Sequence, residues 1–348
     1  MKKVCIILCY FGKFPETIDT FWYSCKANPE FNWLIFTDCE TENVPENVKV
    51  VKTSLDKIKQ LAEKKLQLAI NLESPYKLCD YKVAYGLIFE DYLKGYDFWG
   101  YGDLDVVYGD LKAFITDELL DKYDKIYPLG HLSLLRNNEE CRRLFMLDID
   151  GTRSYKGVFS TPESCFFDED RGINDKAEAA GLKLYTKFDF ADIDGTYKRF
   201  RNVDKKTLRI TLPGFKYIDG VRKNYKSQLF YCSGGKLYQR YLNGASLEDE
   251  EIAYIHYRRK LRVELDKSKP IMIIAPCGIV SLDHIPRIAE IEKYNGMQEH
   301  ELRVFIHFAA NRIRNRAPAV VKDKAIAFLG KSMLLRRFVR RIKGKEEI

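Results

Sequence analysis

The run Val4-Cys5-Ile6-Ile7-Leu8-Cys9-Tyr10 carries no charge and no polar alternation. A strand must be apolar on both sides when both of its faces are covered, as in the middle of a parallel sheet. The following residues extend that theme. Pro15–Asn28 reads as a helix, Asn32–Thr37 as a strand closed by Asp38, and Val48–Lys52 as a third strand. Ser54–Leu72 places Leu55, Ile58, Leu61, Leu66 and Ala69 at helical spacing. Tyr81–Leu93 reads as another helix with Val83, Leu87 and Ile88 inward, and the aromatic stretch Tyr96–Gly102 as a strand running into Asp103. This β-α-β-β-α-β order predicts an α/β domain on a parallel sheet. Ligands of such sheets sit beyond the carboxyl ends of the strands, where Asp38 and Asp103 fall.

At 348 residues and 46% hydrophobic content, the chain can bury a large core. Its net charge of +8 is unevenly spread: Glu301–Ile348 holds 13 Lys or Arg against 4 Asp or Glu. Anionic partners are therefore expected at that tail. Nine cysteines occur singly, without C-x-x-C or zinc-ligand spacing, which reads as free thiols in a reducing, cytoplasmic setting. The N-terminal apolar run is short and lacks a small-residue cleavage site, so it reads as a buried strand rather than a signal peptide. No stretch approaches the ~20 apolar residues that span a bilayer.

The chemistry centres on Gly102-Asp103-Leu104-Asp105. Two carboxylates spaced i, i+2 after a strand can face one point if the backbone bends. Hard cations such as Mg²⁺ or Mn²⁺ take oxygen ligands and keep positions open for substrate phosphates. A solvated turn is the bland alternative for any D-x-D. Here the strand leading in and Val106-Val107-Tyr108-Gly109-Asp110-Leu111 leading out favour the metal. The string Y-D-F-W-G-Y-G-D-L-D-V-V-Y-G-D-L resembles the D-x-D region of GT-A glycosyltransferases. More narrowly, it is similar to a group associated with bacterial capsule and lipopolysaccharide synthesis. The resemblance covers about the first 260 residues. It implies a Rossmann-like nucleotide-diphospho-sugar transferase fold over residues 1–300. It also implies a UDP-hexose donor (galactose, galactofuranose or glucose) whose diphosphate is held through a metal on Asp103 and Asp105, with Gly102 and Leu104 beside it.

Other site residues follow from the same resemblance. Inverting GT-A enzymes often carry an E-D string where this chain has Phe167-Asp168-Glu169-Asp170, and one carboxylate there deprotonates the acceptor hydroxyl. Asp170 is the first candidate, then Glu169, then Asp168; capping of a helix over Arg171–Ala180 is the competing reading. A late histidine often completes the metal shell, which points to His256, in a strand-like run after an expected acidic helix at Ser246–Glu251. Arg258 and Lys260 are candidate diphosphate contacts. Tyr10, Phe11 and Gly12, at the end of the first strand, lie where such enzymes hold the base and ribose. Asp38 either binds uracil or ribose or caps a helix. His131, Arg136 and Asn137 border the expected acceptor zone, where a plain surface loop is the alternative.

Val320–Ile342 interleaves apolar residues with Lys and Arg at helical spacing. That pattern predicts a basic amphipathic helix on an anionic membrane, suited to an enzyme working on lipid-linked saccharide at the inner face of the cell membrane. Packing against the protein's own body and nucleic-acid binding are alternatives, the latter disfavoured because the stripe is markedly apolar. No G-x-G-x-x-G follows a strand, and Phe328-Leu329-Gly330-Lys331-Ser332 lacks the first glycine of a phosphate loop. The expected activity is thus inverting transfer to a surface-polysaccharide acceptor. Retention on the same fold and a non-catalytic binding protein are the alternatives.

Overall fold

The computed structural model describes residues 2–266 and 268–296, which divide into two compact units. The first unit comprises residues up to Phe190 together with Cys232–Tyr238 and Glu251–His256. The expected tail helix, residues 301–348, lies outside the described residues. Among these, no helix is long and apolar enough to cross a membrane.

The first unit opens with strand β1 (Val4–Tyr10), helix α1 (Ile18–Lys26), β2 (Phe31–Thr37), β3 (Val48–Lys52) and α2 (Leu55–Leu66). Ser54 caps α2 by accepting the Lys57 amide, and the helix stops at Gln67 in a left-handed conformation, short of Leu72. The expected long helix at 81–93 is broken into α3 (Leu78–Tyr81), a 3₁₀ turn at Lys82–Ala84, α4 (Tyr85–Ile88) and a second 3₁₀ turn. Gly86 packs against the Trp99 indole so closely that a Cβ there would collide with the ring. Strand β4 (Phe98–Gly102) follows, then β5 (Val106–Tyr108), α5 (Asp117–Lys122), β6 (Lys125–Ile126) and β7 (Leu132–Arg136). After these come α6 (Glu139–Arg143), α7 (Tyr155–Ser160), α8 (Ile173–Ala179) and β8 (Leu184–Tyr185).

The main sheet has the order β3-β2-β1-β4-β7-β6-β8. Strands β3, β2, β1 and β4 are mutually parallel, as the sequence predicts, and β7 runs against β4 and β6. Central β1 is buried from Val4 to Leu8, with side chains covered on both faces. Because β1 and β4 pair in register from Val4↔Phe98 to Ile7↔Tyr101, Tyr10 and Asp103 emerge at the same edge of the sheet. Asp38, just past Thr37, emerges beside Tyr10.

A six-stranded sheet belongs largely to the second unit; Gly278–Leu282 pairs antiparallel with Ile271–Ala275 and parallel with Val263–Glu264. In sheet order its strands are Ser246–Ile252, Lys236–Asn243, Gln228–Ser233, Ile271–Ala275, Gly278–Leu282 and Val263–Glu264. The segment expected as an acidic helix, Ser246–Glu251, is therefore a strand. Gly244-Ala245, with Gly244 at positive φ, makes the turn of a hairpin, and the acidic side chains pair across it: Glu248 accepts from Tyr241 and Asn243, and Asp249 faces Arg240.

Candidate functional site

Residues from several parts of the first unit meet at the carboxyl edge of β1, β2 and β4. After Gly102, the chain leaves β4 with the Asp103 amide donating to the His131 carbonyl at 3.2 Å. It re-enters as β5, which pairs antiparallel with the strand Tyr254–His256 in the register His256↔Val106. That register sets His256 one position from Asp105, and the imidazole Nε2 lies 3.3 Å from Asp105 Oδ1. Asp103, Asp105 and His256 each offer one ligand atom, all within 4.8 Å of one another. Two carboxylates and an imidazole this close fit one Mn²⁺- or Mg²⁺-sized ion while leaving positions free. Burial works against the charge of Asp105, but His256 outweighs it and holds the carboxyl below its usual range. Behind His256, the His131 ring lies 4.5 Å away between centroids, with its Nδ1 3.0 Å from the Tyr254 hydroxyl. His131 is thus buried beneath the acidic pair.

On the other side of Asp103 stands Lys82, a residue not anticipated from the sequence. Its ammonium lies 2.6 Å from Asp103 Oδ1, 3.1 Å from the Gly130 carbonyl and 3.8 Å from Asp168 Oδ2, and the residue is 8% exposed. Burial opposes its charge, but Asp103 and Asp168 outweigh that and raise its pKa. Asp168 is also buried; desolvation, reinforced by Glu169, Asp80 and Asp103 against the pull of Lys82, raises its carboxyl well above the ordinary range.

The acidic string precedes α8 and does not cap it: the N-cap is Gly172, and the acidic residue of the first turn is Asp175. Its three members diverge. Asp168 turns toward Lys82, and Glu169 accepts the Gly130 amide at 2.8 Å. Asp170 pairs with Arg153 at 3.1 Å and Arg171 at 3.2 Å. Among the three, Asp168, ranked last in the sequence, is the one linked through Lys82 to Asp103.

Backbone strain brackets this string, since Phe166 and Arg171 both adopt left-handed φ near +50°. A fully buried clamp holds it: Lys77 and Asp80 pair at 2.8 Å, Asp80 accepts the amides of Cys165 and Phe167, and Lys77 donates to the carbonyls of Val158 and Glu163. Another buried lysine, Lys125, donates to the Tyr127 carbonyl and to Ser133 Oγ. Asn174 donates to the Pro128 carbonyl, so polar side chains fix the loop 127–131 along its length.

The other sequence candidates separate into two groups. Gly12 donates its amide to Asp38 Oδ1 at 2.8 Å, joining the ends of β1 and β2, while Phe11 is buried. Tyr10 stacks on Phe14, and burial, then Cys39 and Asp105, push its phenol up. Gly102 and Leu104 flank Asp103 as buried backbone and side chain. Arg136 and Asn137 lie elsewhere. Arg136 pairs with Phe98 at the start of β4, so it stands at the opposite edge from Asp103. Its guanidinium is bound to Asp124 and to the carbonyls of Leu120 and Tyr123. Asn137 donates to the carbonyls of Leu93 and Tyr96. The expected acceptor zone therefore retains only His131, and that residue is buried. Arg258 and Lys260 belong to the second unit, where Arg258 is left-handed and pairs with Asp192 at 2.7 Å while Lys260 is exposed.

A family model for a family of unknown function, DUF6625, matches residues 6–283. The chain belongs to that family. The matched DUF6625 region holds every residue of the site just described, from Tyr10 to His256, and ends before the basic tail. No curated protein matches the chain.

Proposed function

We propose that this DUF6625 protein is a metal-dependent GT-A glycosyltransferase. It moves a hexose (galactose, galactofuranose or glucose) from a UDP-sugar to a saccharide acceptor of a surface polysaccharide, with inversion. The observation that carries this reading is the convergence of Asp103, Asp105 and His256 at the carboxyl edge of a parallel sheet, each offering a ligand atom within 4.8 Å of the others. A Mn²⁺ or Mg²⁺ held there would neutralise the diphosphate of the donor and its departing UDP. Tyr10, Gly12 and Asp38 stand at the same edge, beside the ends of β1 and β2, where they would bind the nucleoside.

Asp168 is the preferred base. It belongs to the acidic string and is tied to Asp103 through one lysine. Its raised pKa suits a carboxylate that accepts a hydroxyl proton near neutral pH. Asp170, committed to two guanidinium groups, is better read as a brace for the string. The basic tail would bring the enzyme to an anionic inner membrane face and a lipid-linked acceptor, and nucleic acid is not an expected partner.

A panel of nucleotide sugars, screened by thermal shift with Mn²⁺ and with chelator, tests the reading. A UDP-hexose should raise the melting temperature only with the metal. No response to any nucleotide from a folded protein would instead favour a non-catalytic binding role. NMR of the product linkage distinguishes inversion from retention.

A further inference from the structure

Lys82 stands between two acidic groups that the proposed chemistry uses separately. Its ammonium bonds Asp103 at 2.6 Å and lies 3.8 Å from Asp168, about an ångström longer than a typical hydrogen bond. The Gly130 carbonyl, 3.1 Å away, holds the ammonium between the two. Asp103 is the more open group, with its side chain 33% exposed against 5% for Asp168. A second positive charge arriving at Asp103 would therefore come from the solvent side and meet an ammonium already bound to the same carboxylate. Like charges a few ångströms apart in a partly buried site repel strongly, because the surroundings screen them less than water does. The carboxylate already beside it, Asp168 Oδ2 at 3.8 Å, is placed to receive a retreating ammonium.

We infer that Lys82 is an internal cation that occupies Asp103 in the metal-free protein and withdraws onto Asp168 when a divalent cation is held by Asp103, Asp105 and His256. The inference rests on the reading of those three residues as a cation site. Two consequences follow. Lys82 keeps Asp103 neutralised and turned into the site, at the cost of competing with the metal. The same ammonium, once on Asp168, favours its ionised form, so the base is prepared only in the loaded protein. Lys82 is thus a positioning residue for both carboxylates.

The test is Mn²⁺ binding to the full chain without any sugar donor, followed by electron paramagnetic resonance of the free ion. Lys82→Met should bind Mn²⁺ about tenfold more tightly than the wild type, because a competing unit charge is gone. Asp168→Asn should bind several-fold more weakly, because the displaced ammonium loses its charged acceptor. Lys82→Met leaves Asp168 buried without its partner and risks misfolding, so the double variant Lys82→Met/Asp168→Asn is measured alongside; it too should bind more tightly than the wild type. Unchanged or weakened affinity in folded Lys82→Met and in the double variant would overturn the inference while leaving the cation site standing. Mn²⁺ binding that is absent from the wild type, or equal in Asp105→Ala, would remove the cation site and the inference with it.

Discussion

The His256 imidazole lies 3.3 Å from the Asp105 carboxylate although 150 residues lie between them in the sequence. The contact exists because β5, directly after the acidic pair, takes the Tyr254–His256 strand as its antiparallel neighbour. His256→Ala should leave this pairing intact, since the backbone makes it, and should weaken Mn²⁺ binding tenfold or more by removing one of three ligands. Titration of the metal by fluorescence or paramagnetic resonance checks it. Equal affinity in the variant would take His256 out of the site.

Asp168 and Asp170 should part company under substitution. Asp168→Asn is expected to lower transfer by 10²- to 10⁴-fold, the range for loss of a general base. Asp170→Asn should mainly lower stability, because Arg153 and Arg171 lose their shared carboxylate. Steady-state rates and thermal melts on the two variants separate these effects. The reverse ranking would restore the order that the sequence alone suggests.

That order shows where sequence reasoning reaches its limit. The parallel strands were legible because burial on both faces demands uninterrupted apolar residues, as in Val4–Leu8. Asp103 and Asp105 were legible as candidates because they follow a strand end, and His256 because the resemblance to GT-A enzymes implies a late histidine. Which member of Phe167-Asp168-Glu169-Asp170 turns inward was not legible. The answer depends on left-handed Phe166 and on Asp80 gripping the Cys165 and Phe167 amides, contacts remote in sequence. Lys82 escaped notice because a lysine in a helical pattern ordinarily marks a solvated face, and here it is buried against two carboxylates. The hairpin at 236–252 was misread because its charges suit an exposed helix equally well; the signal against that reading was Gly244, which makes its turn.

The Lys77–Asp80 clamp should be costly to break. Both side chains are almost wholly buried, and Asp80 also satisfies two backbone amides. Lys77→Met leaves that carboxylate without its cation, with an expected loss of about 3–5 kcal/mol. Denaturant unfolding measures it. A loss under 1 kcal/mol would mean that the acidic string is held by other contacts.

Lys125 gives a pH signature. Burial pushes its pKa down to about 7, against the pull of Asp168 and Glu169, from an ordinary 10.5. Between those values the unfolded chain binds the extra proton, so this residue's contribution to folding improves as pH rises and gains nothing below pH 7. The stability of the wild type relative to Lys125→Met should therefore climb above pH 7, at up to about 1.4 kcal/mol per pH unit. Urea unfolding of both proteins at pH 6, 7 and 8.5 reads the slope. A flat difference would show that Lys125 keeps its proton throughout.

In the proposed function, Asp103 and Asp105 act through a bound cation on a nucleoside diphosphate. Calorimetric titration of UDP into the full chain, with Mn²⁺ and then with chelator, addresses it most directly. UDP should bind in Mn²⁺, lose that binding on addition of chelator, and fail to bind folded Asp105→Ala. UDP binding of equal strength in all three samples, or in none, would contradict it.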